Sequence, residues 1–485
     1  MYSDIPPFRI FGNLYFVGNY KASSHLIDTG DGLILIDTGY KDDAKKILHS
    51  ISMLGYDVSD VKIILHSHGH YDHTDATAEL LTHCHAKTYL AETDLRYIKG
   101  FAPNVYIEDG MTVSLGNTEI LCRLTPGHTL GTVSFFWNVK ENDRTLRAGM
   151  FGGAGVKQVT KDYLDSKGLY YHQRGDFFAS LRKMRDEKVD LFIGNHSWQN
   201  HTKENAEILH ASGENRFIDS TAWSRFIKKT EESLRSMIAK ESVTHFVNYA
   251  HRGAPAYCPE NTLLSFYTGL FMGANGIETD VRRTKDGHLV LFHDKTLERT
   301  TGESGAVSDY TLDDLRAFSV KKNDLFDRIP TLEEFLYNFA FRDLTLAIEL
   351  KDDDIEEDVL ALLRKYNAQK KTVITAFRME RLKKVHELDP LQKLGYLVKV
   401  EVTDDLLAEL KEFGIDELCP SADQITPERV AYWHESGFRV RAWGVSSEER
   451  MKHVYASGAD GMTVNFPDKL TALKSEAPSS IESEN

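Results

Sequence analysis

The sequence has no long hydrophobic run and very little cysteine. No window of about 18 apolar residues occurs, so we predict no membrane span. The N-terminal stretch MYSDIPPFRIFGNLYFVG lacks a basic region followed by an apolar one, so we expect no secretory signal. The cysteines form no CxxC pair and are expected to be the reduced thiols of a cytoplasmic protein. They are Cys84, Cys122, Cys258 and Cys419.

Basic residues are also in short supply. The 58 Lys and Arg residues are outnumbered by 73 Asp and Glu residues, which gives a formal net charge of −15. This excess argues against a general partner for nucleic acids or anionic membranes and favours a small-molecule substrate. The remaining composition is that of a globular protein, and 485 residues exceed one ordinary core. We therefore expect at least two domains, and homo-oligomerisation stays open.

The residue pattern divides the chain into four segments. Turn dipeptides between short apolar runs predict β-hairpins near the N-terminus, and helical and strand patterns alternate from about residue 40. Between Asp219 and Lys240 the apolar residues fall on one face at helical spacing, which predicts a connecting helix. We predict a first domain over 1–215, a connecting helix within 216–244, a second domain over 245–475 and a disordered tail over 476–485.

The second domain has a repeating strand-then-helix rhythm. Eight short apolar runs are mostly separated by helical stretches, a pattern that predicts a (β/α)₈ barrel. The runs are FVNYA, GIETDV, LTLAIELK, TVITAF, KLGYLV, ELCP, RVRAWGV and GMTVN.

Histidines are concentrated in HSHGHYDH, residues 66–73, directly after the apolar run VKIIL. VKIIL predicts a buried strand, and a helix is expected to start near Thr74, so the cluster lies on a strand-to-helix loop. His68 and His70 are two apart and can bind one ion, while Asp72 and His73 can serve a second. Neutral imidazoles with few carboxylates favour zinc over calcium or magnesium.

Two later loops supply the ligands that this cluster lacks. TPGHTLGT contributes His128, and LFIGNHSWQN contributes His196. Each predicted zinc ion then has three protein ligands and an open position, as in catalytic sites, and a hydroxide between the ions would be the nucleophile. We predict a catalytic role for Asp72 in addition to its role as a metal ligand. The two predicted sets are His68, His70 and His128, and Asp72, His73 and His196.

HSHGHYDH, TPGHTLGT and GNHS in this order, together with LILIDTG, resemble the metallo-β-lactamase superfamily over about residues 5–215. The resemblance implies an αββα sandwich with the metals at one edge. One departure is that Gly152 and Gly153 stand where most of the hydrolases have a bridging Asp. The pattern resembles the subclass of true metallo-β-lactamases that also use Asp-His-His for the second zinc. With Asp72 as the only carboxylate, the second metal is expected to bind more weakly.

Carboxylates gather on two strands of the predicted barrel. Glu278 and Asp280 are two apart in GIETDV, so both side chains point to one face. Glu349 and Lys351 share a face in the same way at the end of LAIELK. Three carboxylates at the C-terminal ends of barrel strands predict a site for one Mg²⁺ or Ca²⁺. The alternative is that Glu349 and Lys351 form only a surface ion pair.

Two histidines and two cations complete this predicted site. His251 and Arg252 directly follow the first barrel strand. The DG dipeptide at 286–287 predicts a two-residue hairpin that sets Asp280 opposite His293, unless TKDG is only a turn. The two histidines would act as general acid and base on a P–O bond. Arg252 and Lys351 would neutralise a phosphate.

HRGAPAYCPENT, IETDVRRTKDGHLVLFHDKTLERTT, RIPTLEEFL, ELK and DGMTVNFPD resemble the glycerophosphodiester phosphodiesterase family over about residues 245–475. The resemblance implies cleavage of a glycerophosphodiester to glycerol 3-phosphate and an alcohol, with the glycerol 2-hydroxyl as internal nucleophile. It also implies a substrate-binding role for Trp443. Gly444 and Asn465 stand where the family usually has Thr and Asp, and these changes are expected to alter headgroup preference.

The leading hypothesis is a cytoplasmic bifunctional hydrolase. Its barrel would be a phosphodiesterase, and its dizinc site would hydrolyse an ester, amide, lactone or phosphodiester bond of the same or a related compound. One alternative is a cytoplasmic β-lactamase-like hydrolase, which the expected lack of export disfavours. The other is that the N-terminal half only binds ligands or mediates oligomerisation.

Overall fold

The computed structural model describes residues 6–476, so positions 477–485 of the predicted disordered tail lie outside the described residues. The chain forms two compact units. Unit 1 contains residues up to 164 together with 173–237, and unit 2 contains 165–172 and the chain from 238 onwards. Within the described range, no helix combines the length and apolar character needed to cross a bilayer. All four cysteines are buried free thiols, as predicted.

Unit 1 is built on two sheets. The first has seven strands in sequential order, antiparallel from β1 to β4 and parallel from β4 to β7. These are β1 Phe8–Phe11, β2 Leu14–Phe16, β3 His25–Asp28, β4 Leu33–Ile36, β5 Val61–Leu65, β6 Lys87–Leu90 and β7 Val105–Tyr106. The second sheet has the order β12-β11-β10-β9-β8. These are β8 Thr112–Leu115, β9 Thr118–Leu124, β10 Val133–Glu141, β11 Arg144–Met150 and β12 Leu191–Ile193.

Helices cover the outer faces of both sheets. Strand β10 must be covered on both faces, because its side chains are apolar on both. Phe135 and Trp137 enter the core between the sheets, while Phe136 packs outwards against Trp223. This confirms the expected αββα sandwich. The α-helices that begin in unit 1 are Asp43–Met53, Tyr71–Thr74, Thr77–Leu80, Lys161–Lys167, Gln173–Met184, Ser197–Asn200, Thr202–Ser212 and Ala222–Thr244.

Unit 2 is a closed barrel of eight parallel strands, as predicted from the eight apolar runs. The barrel order is β13-β23-β22-β21-β20-β19-β18-β14, and β14 pairs back with β13. The barrel strands are β13 Val247–His251, β14 Gly276–Arg283, β18 Thr345–Leu350, β19 Thr372–Ala376, β20 Lys393–Leu397, β21 Glu417–Cys419, β22 Arg439–Val445 and β23 Gly461–Val464. Strand β15 Leu289–Leu291 pairs with β14, and β16 Ser319–Lys322 pairs with β17 Leu325–Arg328.

Several helices of unit 2 begin at a residue whose hydroxyl caps the first turn. Thr262, Thr331, Thr403, Thr426 and Ser447 each accept a hydrogen bond from a backbone N–H three residues on. The α-helices are Leu263–Phe271, Glu298–Thr301, Leu312–Leu315, Leu332–Phe339, Glu356–Lys365, Met379–Leu388, Asp404–Glu412, Pro427–Glu435, Glu448–Ala456 and Pro467–Glu476.

The register predicted for the β14–β15 hairpin is wrong by one residue. Thr284, not Lys285, pairs with His288, and the backbone N–H of Phe292 donates to Asp280. The loop therefore has three residues and ends at Gly287, whose φ of +91° is the left-handed conformation that closes such loops. A DG dipeptide suits both loop lengths, so the dipeptide alone could not select between them.

Histidine 25 on β3 is buried without a polar partner. Its side chain is 1% exposed and neither ring nitrogen has a hydrogen-bond partner. Burial lowers the pKa of His25 to about 4. The unfolded chain therefore binds the proton first, at a pKa of about 6.5. Above about pH 6.5, His25 does not change the free energy of unfolding. As the pH falls from about 6.5 towards 4, the burial of His25 lowers that free energy.

We expect His25→Phe to flatten this pH dependence. Between pH 7 and pH 5, the wild-type unit should lose about 2 kcal/mol more stability than the variant, because only the wild type must bury a charged imidazole. The measurement is the urea midpoint at which peptides covering β3 lose hydrogen-exchange protection in the metal-free, full-length protein. Equal pH slopes for both proteins would contradict the prediction.

Candidate active sites

The histidine motif of unit 1 lies where β5 ends. His68 and His70 are on the loop that follows the strand, whereas Asp72 and His73 belong to the helical turn Tyr71–Thr74. The helix thus begins three residues earlier than the sequence predicted. Asp72 and His73 are consequently held by helical geometry and not by a loop.

The first predicted ligand set converges. The ring nitrogens of His68, His70 and His128 lie within 4.8 Å of one another. His70 Nδ1 is 3.1 Å from His128 Nε2. His68 is 1% exposed, and its Nε2 has no hydrogen-bond partner. A buried polar atom without a partner is costly, and a metal ion would provide the missing interaction.

The second predicted set also converges, next to the first. His73 Nε2 is 3.2 Å from His196 Nε2. Asp72 Oδ2 lies 3.6 Å from the His73 nitrogen and 3.8 Å from the His196 nitrogen. His68 is also within 4.8 Å of Asp72 and His73, so it stands between the two sets.

Hydrogen bonds outside the cluster orient the histidine rings. His128 Nδ1 donates to the carbonyl of Gly155 at 2.9 Å, and His73 Nδ1 donates to Asp37 Oδ2 at 2.8 Å. His196 Nδ1 donates to the Lys21 carbonyl. Each Nε2 lone pair then points into the cluster, which is the tautomer that metal ligands adopt. The donor set therefore fits one or two zinc ions.

Burial and Asp37 set the protonation of these rings. Burial lowers the pKa of His68 and His128, and lowers that of His70 to about 4. Burial would also lower the pKa of His73, but the Asp37 carboxylate outweighs it and raises that pKa. Neutral imidazoles are the form that binds a metal.

Two buried aspartates hold the ligand loops in place. Asp37 accepts hydrogen bonds from the backbone N–H and the hydroxyl of Ser67, both at 2.7 Å. Asp94 accepts from the N–H of Gly69 at 2.7 Å, from the N–H of Gly131 at 2.8 Å and from the Thr129 hydroxyl at 2.7 Å. Asp94 thus joins the His68–His70 loop to the loop after His128. Sequence reasoning missed it, and only the glycines in HSHGH and TLGT pointed to a close approach.

We expect Asp94→Asn to weaken zinc binding about 10- to 100-fold, because an amide cannot accept all three bonds. The measurement is zinc content after titration with a competing chelator. Asp143→Asn, at an exposed aspartate, is the matched control. Unchanged zinc affinity in Asp94→Asn would show that the two loops are held independently of this carboxylate.

The two glycines in place of a bridging aspartate leave no room for a side chain. A Cβ at Gly153 would lie 2.7 Å from the His128 ring, and one at Gly152 would lie 2.0 Å from the Val133 carbonyl oxygen. His66 also stays outside the cluster, because its ring nitrogens bond the Tyr89 carbonyl and the Thr77 hydroxyl. His66 is thus separated from the predicted ligands.

A groove of about 720 Å³ opens beside His196. Aromatic rings and cationic side chains share its walls, and Lys203 Nζ lies 5.5 Å from the centre of the Tyr20 ring. Such a groove can receive a substrate that carries an anionic group. The lining includes Tyr20, Lys21, Tyr40, Trp198, His201, Lys203 and one acidic residue, Glu204.

The barrel site gathers three buried carboxylates. Oxygens of Glu278, Asp280 and Glu349 lie within 4.8 Å of one another. Burial and the nearby Asp280 raise the pKa of Glu278 and of Glu349. Burial would raise the pKa of Asp280 too, but Arg252 and Lys351 outweigh it and hold that pKa low. Crowded buried carboxylates are relieved by a divalent cation, so the donor set fits Mg²⁺ or Ca²⁺.

Lys351 and Arg252 lie inside this site. Lys351 Nζ is 2.7 Å from Glu349 Oε1, and the two side chains are only 13% and 10% exposed. The alternative of a surface ion pair is therefore wrong. Arg252 Nε is 3.1 Å from Asp280 Oδ2, and Arg252 Nη1 is 3.0 Å from Glu260.

Both predicted catalytic histidines reach the pocket despite the register error. His251 Nδ1 donates to Asn465 Oδ1 at 2.6 Å, and His293 Nδ1 donates to Asp294 Oδ1 at 2.6 Å. His251 Nε2 lies 3.8 Å from Glu278 Oε2. Burial lowers the pKa of both histidines, that of His251 to about 4.

A charged network that sequence reasoning missed connects His293 to Arg252. Arg299 contacts Glu260 at 2.6 Å and Asp294 at 2.5 Å. Glu260 in turn contacts Arg252, and Asp294 holds His293. The signal was present in PEN and HDKTLER, but the charges are too common there for spacing to single them out. Asn465, for which the sequence predicts an effect on headgroup preference, also accepts the hydrogen bond that orients His251.

A pocket of about 470 Å³ lies at the C-terminal ends of the barrel strands, and its lining includes His251, Arg252, Glu278, His293, Glu349 and Lys351. Arg252, Lys351 and the predicted substrate-binding Trp443 are all in its wall. The site therefore lies where (β/α)₈ barrels carry their chemistry.

Comparison with known proteins assigns each region to a class of hydrolase. Residues 251–469 match the glycerophosphoryl diester phosphodiesterase family, and residues 17–196 match the metallo-beta-lactamase superfamily. A glycerophosphodiester phosphodiesterase from Caldanaerobacter subterraneus subsp. tengcongensis is 33% identical over 233 residues, covering 46% of this chain and 96% of that protein. One from Bacillus subtilis is 32% identical over 259 residues, covering 48% of this chain and 88% of that protein.

Solved structures similar to this chain include a native metallo-beta-lactamase from Legionella gormanii. It is 28% identical with a TM-score of 0.46, over 50% of this chain and 98% of that chain. The chain belongs to the glycerophosphoryl diester phosphodiesterase family and carries a metallo-beta-lactamase superfamily region before its barrel. Both families are hydrolases, and the chain is an enzyme of that class.

Proposed function

We propose that the barrel cleaves a glycerophosphodiester to glycerol 3-phosphate and an alcohol. The observation that carries this proposal is the placement of His251 and His293 beside three buried carboxylates, each ring oriented through Nδ1. Glu278, Asp280 and Glu349 would hold one Mg²⁺ or Ca²⁺. When bound, the cation would neutralise charge on the phosphoryl group.

The reaction would proceed in two proton-balanced steps. The glycerol 2-hydroxyl attacks phosphorus and gives its proton to one histidine, while the other histidine protonates the departing alcohol as the P–O bond breaks. Water then opens the cyclic phosphate with the two histidine roles reversed, so that one water is consumed per diester. Arg252 and Lys351 bind the phosphoryl oxygens.

For unit 1 we propose a dizinc hydrolase site, formed by the two ligand sets that meet at His68. When bound, zinc would activate water for attack at neutral pH. The substrate would contain an ester, amide, lactone or phosphodiester bond. The groove beside His196 carries two lysines, Lys21 and Lys203, against one carboxylate, Glu204, which supports a compound with an anionic group, such as the barrel's own substrate or product.

We further propose that the two sites process the same or a related compound in the cytoplasm. The buried, unbridged cysteines support a reducing compartment. The proposed domains are 1–215 for the zinc hydrolase and 245–475 for the barrel, with 216–244 connecting them.

The coupling is tested with a panel of phosphodiesters that also bear an ester, amide or lactone bond. His68→Ala and His251→Ala in the intact protein should each block a different step on one compound. Complete processing of the natural substrate by the His68→Ala variant would contradict coupling. A chromogenic cephalosporin in the same panel tests β-lactam hydrolysis, and no zinc-dependent turnover of any compound would favour a binding module.

A further inference from the structure

The barrel pocket has a second wall, opposite the acid–base and metal-binding groups. Phe377 follows β19, Lys399 follows β20, and Trp443 and Gly444 lie on β22. All four line the same 470 Å³ pocket as His251 and His293. A diester bound through its phosphate at Arg252 and Lys351 would direct its departing alcohol towards this wall.

Two aromatic rings and one ammonium form the centre of this wall. The rings of Phe377 and Trp443 meet edge to face, with centroids 5.2 Å apart. Such a pair would suit a quaternary ammonium headgroup. Here, however, Lys399 Nζ already lies 4.2 Å from the centre of the Phe377 ring. A cationic headgroup would therefore meet a like charge.

The remaining features of the wall suit oxygen atoms. The indole N–H of Trp443 is buried without a hydrogen-bond partner. Gly444, with φ at +74°, has no atom within 4 Å of the position that a Cβ would occupy, so space remains beside Trp443. The wall thus offers an ammonium, an unused N–H donor and room for a bulky group.

We infer that this wall is a headgroup subsite for an alcohol that carries an anionic group such as a phosphate or carboxylate. The inference rests on the proposed phosphodiesterase activity and specifies its substrate class. Lys399 attracts the anionic group, Trp443 donates to one of its oxygens, and a trimethylammonium headgroup is disfavoured. In water, two unit charges about 4 Å apart change affinity by about fivefold, and a phosphate monoester carries about two charges, so we expect a change of about tenfold at the exposed Lys399.

The test compares kcat/KM for three diesters in the full-length protein. Glycerophosphoinositol 4-phosphate has an anionic headgroup, glycerophosphoinositol a neutral one and glycerophosphocholine a cationic one. We expect the wild type to prefer them in that order. Lys399→Met should lower the anionic-to-neutral ratio about tenfold and raise the choline-to-neutral ratio by a similar factor. Lys399→Glu should reverse the order.

Lys370→Met changes an exposed lysine outside the pocket and is the matched control, with ratios equal to wild type. Ratios that do not change in Lys399→Met, or a wild-type preference for the choline diester, would overturn the inference. If no diester releases glycerol 3-phosphate, the proposed phosphodiesterase activity fails instead. The subsite is then judged by calorimetric affinities of the same three diesters, which must follow the same order.

Discussion

Replacing either barrel histidine with glutamine is expected to reduce kcat for glycerophosphodiester cleavage about 1,000-fold. General acid–base catalysis contributes on this order, and glutamine cannot transfer a proton at neutral pH. The three carboxylates are unchanged, so His251→Gln and His293→Gln should still bind the divalent cation. The measurement is glycerol 3-phosphate release under saturating metal, with metal affinity determined in parallel.

His288→Gln is the control for this pair, because His288 has a side chain that is 56% exposed and lies at the β14–β15 turn. It should retain wild-type activity. A diester with a p-nitrophenol leaving group separates the two roles, since a good leaving group needs no protonation. The variant that lacks the general acid should regain activity on this diester, and the variant that lacks the general base should not. A loss of less than tenfold in either variant on the natural diester would remove that histidine from the chemistry.

The parts of the site that could be predicted from sequence are those fixed by local geometry. Glu278 and Asp280 share a face because side chains alternate along a strand, and the structure places both in the barrel. His68 and His70 were predicted together because they are two apart on a short loop. The eight barrel strands were recognisable because each is a short apolar run between helical segments.

What sequence reasoning missed depends on contacts between distant segments. Asp94 bonds the loops at Gly69 and Gly131, 25 and 37 residues away. Asn465 reaches His251 across 214 residues. No periodicity links such pairs, and their positions follow only from strand order and barrel closure. The hairpin register was predicted wrongly for a different reason. The left-handed conformation of Gly287 closes a three-residue loop, and the DG dipeptide alone does not specify that loop length.

The structure also changes how one departure from the family pattern is understood. Asn465 is expected to affect headgroup preference, and it also accepts the hydrogen bond from the Nδ1 of His251. His293 instead donates to a carboxylate, that of Asp294. One histidine is thus supported by a neutral amide and the other by an anion. Gly444, the other departure, lines the same pocket as His251 and His293.

The second large effect is expected from His68→Ala in unit 1. The ligand atoms of His68 lie within 4.8 Å of those of His70 and His128, and also of those of Asp72 and His73. Loss of His68 should therefore weaken both proposed zinc sites. We expect dialysed protein to lose most of its bound zinc and zinc-dependent hydrolysis to fall at least about 1,000-fold. Cleavage of glycerophosphodiesters by the barrel should persist, because its proposed metal ligands are a separate set of carboxylates.

The comparison variants distinguish ligation from packing. His68→Gln preserves most of the buried volume but lacks the imidazole, so it should lose zinc as His68→Ala does. His85→Ala, at an exposed histidine, should retain both zinc and activity. Wild-type protein stripped by a chelator should regain hydrolysis when zinc is added, and His68→Ala should not. Equal zinc content in His68→Ala and wild type would show that the unpartnered Nε2 of His68 is not a metal ligand. The proposed ligands would then be His70 and His128 for one zinc ion, and Asp72, His73 and His196 for the other.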